Sequence, residues 1–323
     1  MILVTGGTGL IGSHLLLFLT RKGLKPRALY RNKKSIEKTK QIFSLYSTQV
    51  DELFKQIEWV KADITDVSSL QPVFKDIQQV YHAAALVSFD TKDKERLHQI
   101  NVEGTANMLN LAIDHQVNKF LHLSSIAALG SYDNPITEHT HWNWKEKHSE
   151  YAVTKHLSEM EAWRATQEGL PVVILNPSVV LGAGFKNSGI GLLLKKIKKG
   201  MRYYPPGGNG FVDVWDLVKV MTDLMNSPIV NESFIVSAYD ITYKKLLQSL
   251  AQKLSVKEPT FALPKTWAYI ASLTGIISPS FRRTLWQHPH YSAQKLLQHW
   301  PHQFIPFEAS IANMALQLKK QAV

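Results

Sequence analysis

Tyr151 and Lys155 stand four residues apart in "SEYAVTKHL", a spacing that sets both side chains on one face of a helix. A phenol with an ordinary pKa of about 10 can donate a proton to a carbonyl, or take one from an alcohol, once a nearby cation stabilises its phenolate. Lysine one turn along supplies that cation. The pattern Y-x-x-x-K occurs three times, as Tyr30/Lys34, Tyr151/Lys155 and Tyr291/Lys295. Tyr30 ends a strand-like run and Tyr291 falls in the C-terminal tail. Tyr151 alone begins a helical stretch after a strand-like segment, "FLHLSSIAALG", that closes on Ser124 and Ser125. A serine at that strand end can hydrogen-bond the substrate oxygen, and the spacing leaves open which of the two does so. The chemistry indicated is hydride transfer at a carbonyl or alcohol carbon, with Tyr151 exchanging the proton and Lys155 holding the ribose of the hydride carrier.

The carrier is provided for at the start of the chain, "MILVTGGTGLIGSHLLLFL". Gly7, Gly9 and Gly12 fit G-x-G-x-x-G, while Thr5, Gly6, Gly9 and Gly12 fit the narrower T-G-x-x-G-x-x-G. A strand-like "ILVT" precedes the glycines and an amphipathic helix follows them, the context a dinucleotide fingerprint requires. Gly6 and Gly9 let the backbone approach a pyrophosphate, and Gly12 lets the helix press on the sheet. Thr8, Leu10 and Ile11 belong to the same turn, where unpaired N–H groups of the helix start face the phosphates. A tight strand-to-helix turn without a ligand is the plainer alternative. At the end of the second strand, "RALYRNKK" carries Arg31 and no acid. An acid there favours NAD, whereas a guanidinium can grip a 2′-phosphate. Arg31 favours NADP(H) over NAD(H), the plainer reading being a surface arginine. Asp63 and Ile64 in "VKADITD" are positioned for the adenine, and the small Ala83, Ala84 and Ala85 of "YHAAALV" leave room for the cofactor.

The elements that must position these residues follow an α/β rhythm. Strands are expected at 2–5, 26–30, 58–62, 79–82, 119–124 and 172–176, with helices near 11–22, 33–55, 66–76, 94–115 and 150–168. This predicts a Rossmann-type doubly wound parallel sheet over residues 1–176, the dinucleotide-binding domain. Residues 177–323 are turn-rich and fragmented. They are expected to form a smaller, irregular α/β substrate-binding part over the carboxyl edge of the sheet, with chain returning to the first domain at about 211–237.

Taken together, TGGTGLIG, "HAAA", "SSIAALG", "YAVTK" and "NPSVVLGAG" resemble the extended short-chain dehydrogenase/reductases, the NAD-dependent epimerase/dehydratase family. The resemblance covers nearly the whole chain and selects the T-G-x-x-G-x-x-G reading. It implies that Ser125, five residues before Gly130, is the catalytic serine. Asn101 in "INVEGTANMLNLA" matches the family's asparagine near the nicotinamide. Asn176 and Pro177, with Ser178 after them, match the strand end that lines the nicotinamide pocket, and Asp213 matches a structural turn. Ile126 and Ala127 follow the serine where dehydratases carry an acidic pair, so sugar-nucleotide dehydration is disfavoured. The segments are most similar to dihydroflavonol reductases and 3β-hydroxysteroid dehydrogenases, which implies a reductase or dehydrogenase. A nucleotide-sugar epimerase is the alternative, and a silent cofactor sensor a third reading that the intact Ser125/Tyr151/Lys155 set disfavours. The resemblance also implies a homodimer.

Composition bounds the remaining classes. The 323 residues carry a net charge of +11 and no cysteine, which excludes disulfides, thiolate metal sites and thiol nucleophiles. The basic runs "RNKKSIEKTK" and "KKIKKG" lack aromatic interleaving, so a small-molecule partner is expected and nucleic acid is not. "WAYIASLTGIISPSF" is too short for a membrane span, and a strand beginning at residue 2 predicts no secretory leader and a cytoplasmic setting. The 13 histidines show no metal-ligand spacing, so no metal is expected. His148, three residues before Tyr151, is a candidate border of the active site. Trp142, Trp144, Phe89, Phe185, Tyr203 and Tyr204 are candidates for an apolar substrate wall or for ordinary packing.

Overall fold

The computed structural model describes residues 1–130, 135–184, 190–274 and 279–320. Phe185 lies outside them. The strands in chain order are β1 (Ile2–Thr5), β2 (Arg27–Tyr30), β3 (Glu58–Lys61), β4 (Gln79–His82), β5 (Lys119–Leu123) and β6 (Val172–Pro177). They continue with β7 (Val179–Leu181), β8 (Tyr203–Tyr204), β9 (Gly208–Asp213), β10 (Glu232–Val236), β11 (Tyr239–Thr242) and β12 (Phe261–Ala262). Seven of them form one parallel sheet in the order β10-β6-β5-β4-β1-β2-β3. The order reverses between β1 and β4, and Ile2–Thr5 pairs residue for residue with Gln79–His82 there. Ligands of doubly wound sheets bind beyond the carboxyl ends of the strands at such a switch point.

Burial on both faces explains the apolar strand runs. Val4, Tyr81, Leu121, Val173 and Val212 join one apolar cluster, while Leu3, Val80, Phe120, Val172 and Ile174 join the cluster on the opposite face. A third core gathers Leu181, Phe211, Leu246, Leu250 and Ile311, around the three-stranded sheet β11-β9-β7. β8 and β12 make a separate parallel pair. No helix among the described residues is long and apolar enough to cross a membrane.

Three expected helices are broken. The stretch 33–55 is two helices, Lys33–Tyr46 and Val50–Phe54, because Ser47 between them takes extended backbone angles of φ −144° and ψ 148°. The stretch 66–76 is one α-turn, Val67–Leu70, followed by a 3₁₀ turn that begins around Pro72. The stretch 94–115 comprises Lys94–His98, a wider π turn over Gln99–Glu103, and Gly104–Asp114. Asn101 sits inside that π turn, a distortion that recurs at functional sites.

Candidate active site

The glycine turn joins β1 to the helix Leu10–Arg21. Gly6 takes φ +66°, and a Cβ there would lie 2.5 Å from the Ala83 carbonyl oxygen, so only glycine lets β1 and β4 close at this level. A Cβ on Gly12 would lie 2.2 Å from the Gly6 carbonyl oxygen, which is how tightly the helix start folds back on the turn. The first helical turn has no side-chain cap and no acidic residue. Its amides and positive dipole end stand open to an anion, as a dinucleotide pyrophosphate requires. A Cβ on Gly7 would meet only the movable end of Leu16 at 2.9 Å and the Ala28 side chain at 3.3 Å, so glycine is less strictly required there than at Gly6 or Gly12.

Arg31 follows β2 and Asp63 lies just after β3. The two side chains approach to 4.0 Å, and Arg31 is 62% exposed. Asp63 Oδ1 accepts from the Thr65 amide and hydroxyl at 3.0 and 2.9 Å, so one carboxylate oxygen shapes the turn while the other faces the guanidinium. Ile64 is buried, with its side chain against Gly104, and its carbonyl accepts from Asn107. Ala83 and Ala84 are half-buried and Ala85 is exposed. The Ala84 amide donates to Thr5 Oγ1 at 3.2 Å. Thr8 is half-buried, Leu10 and Ile11 likewise.

The residues expected to react meet where β5 and β6 end. The helix Glu150–Gln167 begins at Ser149, whose side chain caps the Ala152 amide, and places Tyr151, Lys155 and Glu159 one turn apart on one face. Burial pushes the Tyr151 phenol above its ordinary pKa, and the hydrogen bond with Ser125 pulls it back down. The Ser125 hydroxyl also accepts the Ala127 amide at 3.1 Å, which fixes its rotamer. Lys155 is buried, and Nζ donates to the Leu123 carbonyl at 2.9 Å. Burial lowers its pKa to about 8, opposed by the Glu159 carboxylate.

The sequence reading passed over Glu159. Its Oε2 accepts from the Ser124 hydroxyl and from Asn176 Nδ2, both at 2.7 Å. Burial raises its pKa, and the bonds from Ser124 and Asn176 with the Lys155 charge oppose the rise. The available signal was its i+4 position from Lys155. The serine pair is thereby divided, with Ser124 turned inward to Glu159 and Ser125 facing Tyr151. Asn176 Nδ2 also donates to the Ser125 carbonyl at 3.2 Å, while Asn176 Oδ1 is buried without a partner. Pro177 is buried, and the Ser178 amide and hydroxyl both donate to the Val236 carbonyl, at 3.0 and 3.3 Å. Ser178 therefore holds β10 against the end of β6.

Asn101 stands one layer behind these groups. Its Oδ1 accepts the Leu86 amide at 2.7 Å, and its Nδ2 donates to the Leu86 carbonyl and to Thr154 Oγ1 at 3.0 and 3.1 Å. It thus pins the segment after β4 to the residue preceding Lys155. A fixed hydrogen-bond chain reaches it from below. The Ala84 amide donates to Thr5 Oγ1, and Thr5 donates to His82 Nδ1 at 2.9 Å. His82 Nε2 then donates to Thr105 Oγ1 at 3.1 Å, and Thr105 donates to the Asn101 carbonyl at 2.6 Å. Burial lowers the His82 pKa to about 3, so the ring is neutral.

The two other tyrosine–lysine pairs are packed elsewhere. Tyr30 lies edge-on to Trp59, and Lys295 pairs with Glu232. Among the wall candidates, Phe89 is edge-on to the Tyr151 ring at 5.9 Å between centroids and is 46% exposed. Trp142 stacks on His148 and on His156, with centroids 3.8 and 4.3 Å away, which links His148 to the Tyr151 helix through His156. Trp144 is edge-on to Trp142 and exposed. Tyr203 contacts Phe261 and Trp267, and Tyr204 lies under Lys244. Asp213 caps the helix Val214–Met225 through the Trp215 amide, as a structural turn residue does. No group of three or more possible metal ligands occurs among the described residues.

A family model described as the NAD dependent epimerase/dehydratase family matches residues 2–236. Sterol demethylase protein B of Methylococcus capsulatus is 30% identical over 81% of this chain and 77% of its own. Dihydroflavonol 4-reductase of Hordeum vulgare is 26% identical over 92% of this chain and 83% of its own. Among solved structures, a UDP-glucose 4-epimerase with UDP-glucose from Thermotoga maritima superposes with a TM-score of 0.79 at 20% identity, covering 100% of this chain and 99% of that one.

Proposed function

This chain belongs to the NAD dependent epimerase/dehydratase family, and from that membership we propose that it is an NADP(H)-preferring carbonyl reductase or secondary-alcohol dehydrogenase. The observation that carries the reading is the convergence of Ser125, Tyr151 and Lys155 at one strand end. When bound, the nicotinamide cofactor supplies or accepts the hydride. The uncapped amides of Leu10, Ile11 and Gly12 suit its pyrophosphate, Arg31 a 2′-phosphate, and the unpartnered Asn176 Oδ1 a donor at the nicotinamide end. Ser125 orients the substrate oxygen and Tyr151 exchanges the proton with it. Lys155 turns from the Leu123 carbonyl to the ribose hydroxyls and keeps positive charge beside the phenol. Asn101 and Glu159 act through these groups as positioning residues.

The exposed Phe89 edge against Tyr151 and the exposed Trp144 support an apolar, ring-bearing substrate. So do the names of the sterol and dihydroflavonol relatives. The test is Tyr151→Phe assayed by cofactor oxidation on a panel of aromatic and alicyclic ketones. Loss of general-acid catalysis lowers kcat by about 10²–10⁴-fold; unchanged turnover overturns the mechanism. An epimerase working through the same residues gives product with no net change in reduced cofactor. Its case is weaker because "RYYPPGGNGFVDV" offers Arg202 as the one cation for a substrate pyrophosphate. The same reading includes a cytoplasmic homodimer through the helix Glu150–Gln167, whose Met160 is 42% exposed, to be checked by sedimentation of the wild type against Met160→Glu.

A further inference from the structure

The helix Lys265–Leu273 is turned inside out. Ala268 is buried at 2% exposure, whereas Trp267, Tyr269, Ile270 and Leu273 are 54, 53, 57 and 70% exposed. At 100° per residue these four large side chains share one outward arc with Thr266 and Thr274, and no charged residue interrupts it. Phe261 in β12 extends the patch, 58% exposed and in contact with Tyr203. A soluble surface rarely groups large apolar residues in this way without a partner.

The surroundings are cationic. Arg282 lies over the Tyr269 ring at 5.0 Å, and Lys265, Arg282 and Arg283 line an open groove of about 750 Å³ with Tyr269, Ile270 and Trp286. Between Glu258 and Glu308 the sequence has no acidic residue, yet it carries Lys265, Arg282, Arg283 and Lys295. Trp and Tyr at the rim, Ile and Leu at the centre, and flanking arginine and lysine without carboxylates are the composition of a face that lies in a lipid headgroup layer. A symmetric contact with a second copy would instead bring the arginines against one another.

We propose that this face docks the protein on an anionic phospholipid bilayer, as a peripheral contact through Trp267, Tyr269, Ile270 and Leu273 with Lys265, Arg282 and Arg283 at the headgroups. The proposal is independent of the catalytic reading. It is tested by flotation of the full chain with vesicles of phosphatidylcholine alone or with about one third phosphatidylglycerol, at low and high salt. Wild-type protein is expected to float with the anionic vesicles and to be released by salt. Ile270→Gln/Leu273→Gln lowers partitioning by at least about tenfold. Lys265→Gln/Arg283→Gln lowers it on anionic vesicles only. Both double variants alter exposed side chains, so wild-type melting temperature and cofactor-induced thermal shift are required of them. Absence of wild-type flotation overturns the proposal, as does unchanged flotation of the Ile270→Gln/Leu273→Gln variant. So does a wild-type dimer that this variant converts to monomer without vesicles, which would make the face a protein interface.

Discussion

The Glu159 carboxylate receives the Asn176 side-chain amide at 2.7 Å, tying the Tyr151 helix to the end of β6. The same oxygen holds Ser124, and the same Asn176 amide reaches the Ser125 carbonyl. Both serines are therefore positioned from one buried acid, whose charge also opposes the loss of the Lys155 proton.

Replacing Glu159 by Gln removes that charge while keeping an acceptor. Lys155, whose pKa burial lowers to about 8, then loses its proton at a lower pH. The alkaline limb of the kcat/KM profile is expected to move toward neutrality, and rate at pH 8 to fall more than rate at pH 6. A purely structural role for Glu159 would lower the melting temperature and leave the profile in place.

The proposed preference for NADP(H) rests on Arg31. Arg31→Ala is expected to weaken NADP⁺ binding by about 10–100-fold, the value of a charge-assisted phosphate contact, while NAD⁺ binding changes little. Calorimetry of both nucleotides against both proteins makes the comparison. Tighter NAD⁺ than NADP⁺ binding by the wild type would reverse the assignment.

Alanine distinguishes the glycines. At position 12 its Cβ meets backbone atoms of Gly6 at 2.2 and 2.7 Å, which cannot yield as a flexible side chain would. Gly12→Ala is expected to cost about 1–3 kcal/mol and to abolish the cofactor-induced thermal shift. Gly9→Ala meets only the Gly6 carbonyl oxygen at 3.3 Å, so it should melt near the wild type and lose affinity for the pyrophosphate alone.

The buried histidines predict acid sensitivity. Burial lowers His14 from 6.5 to about 4 and His82 to about 3. Between those values and 6.5 the unfolded chain binds more protons, so the stability they contribute is complete above pH 6.5 and declines as pH falls toward 4. For His14 the loss is on the order of 3 kcal/mol. Melting temperature recorded from pH 7 to pH 4 should fall, and His14→Leu should flatten the decline.

The sheet was legible because each strand is a short β-branched or aromatic run that ends in a turn. All six strands expected before residue 177 lie within a residue of their observed bounds. The grouping of Ser125, Tyr151 and Lys155 was legible because Tyr151 and Lys155 share one helix face and Ser125 follows a strand end. The break at Ser47 and the π turn around Asn101 were not: at the first the Ser47 hydroxyl takes the Gln49 amide at 3.1 Å, and at the second Asn101 bonds Leu86 and Thr154, distant in sequence. Glu159 was hidden for a different reason. Its importance depends on Ser124 and Asn176, which are 35 and 17 residues away along the chain, and no local spacing announces that meeting.

The chain of bonds from the Ala84 amide through Thr5, His82 and Thr105 to the Asn101 carbonyl has a sense that cannot be reversed. It starts at a group that only donates and ends at one that only accepts, so every hydrogen between them is assigned. Such a column cannot pass a proton along and reset, because resetting would require an amide nitrogen to accept. It is a scaffold and not a proton relay. The proton exchange proposed for Tyr151 therefore has no route through this column.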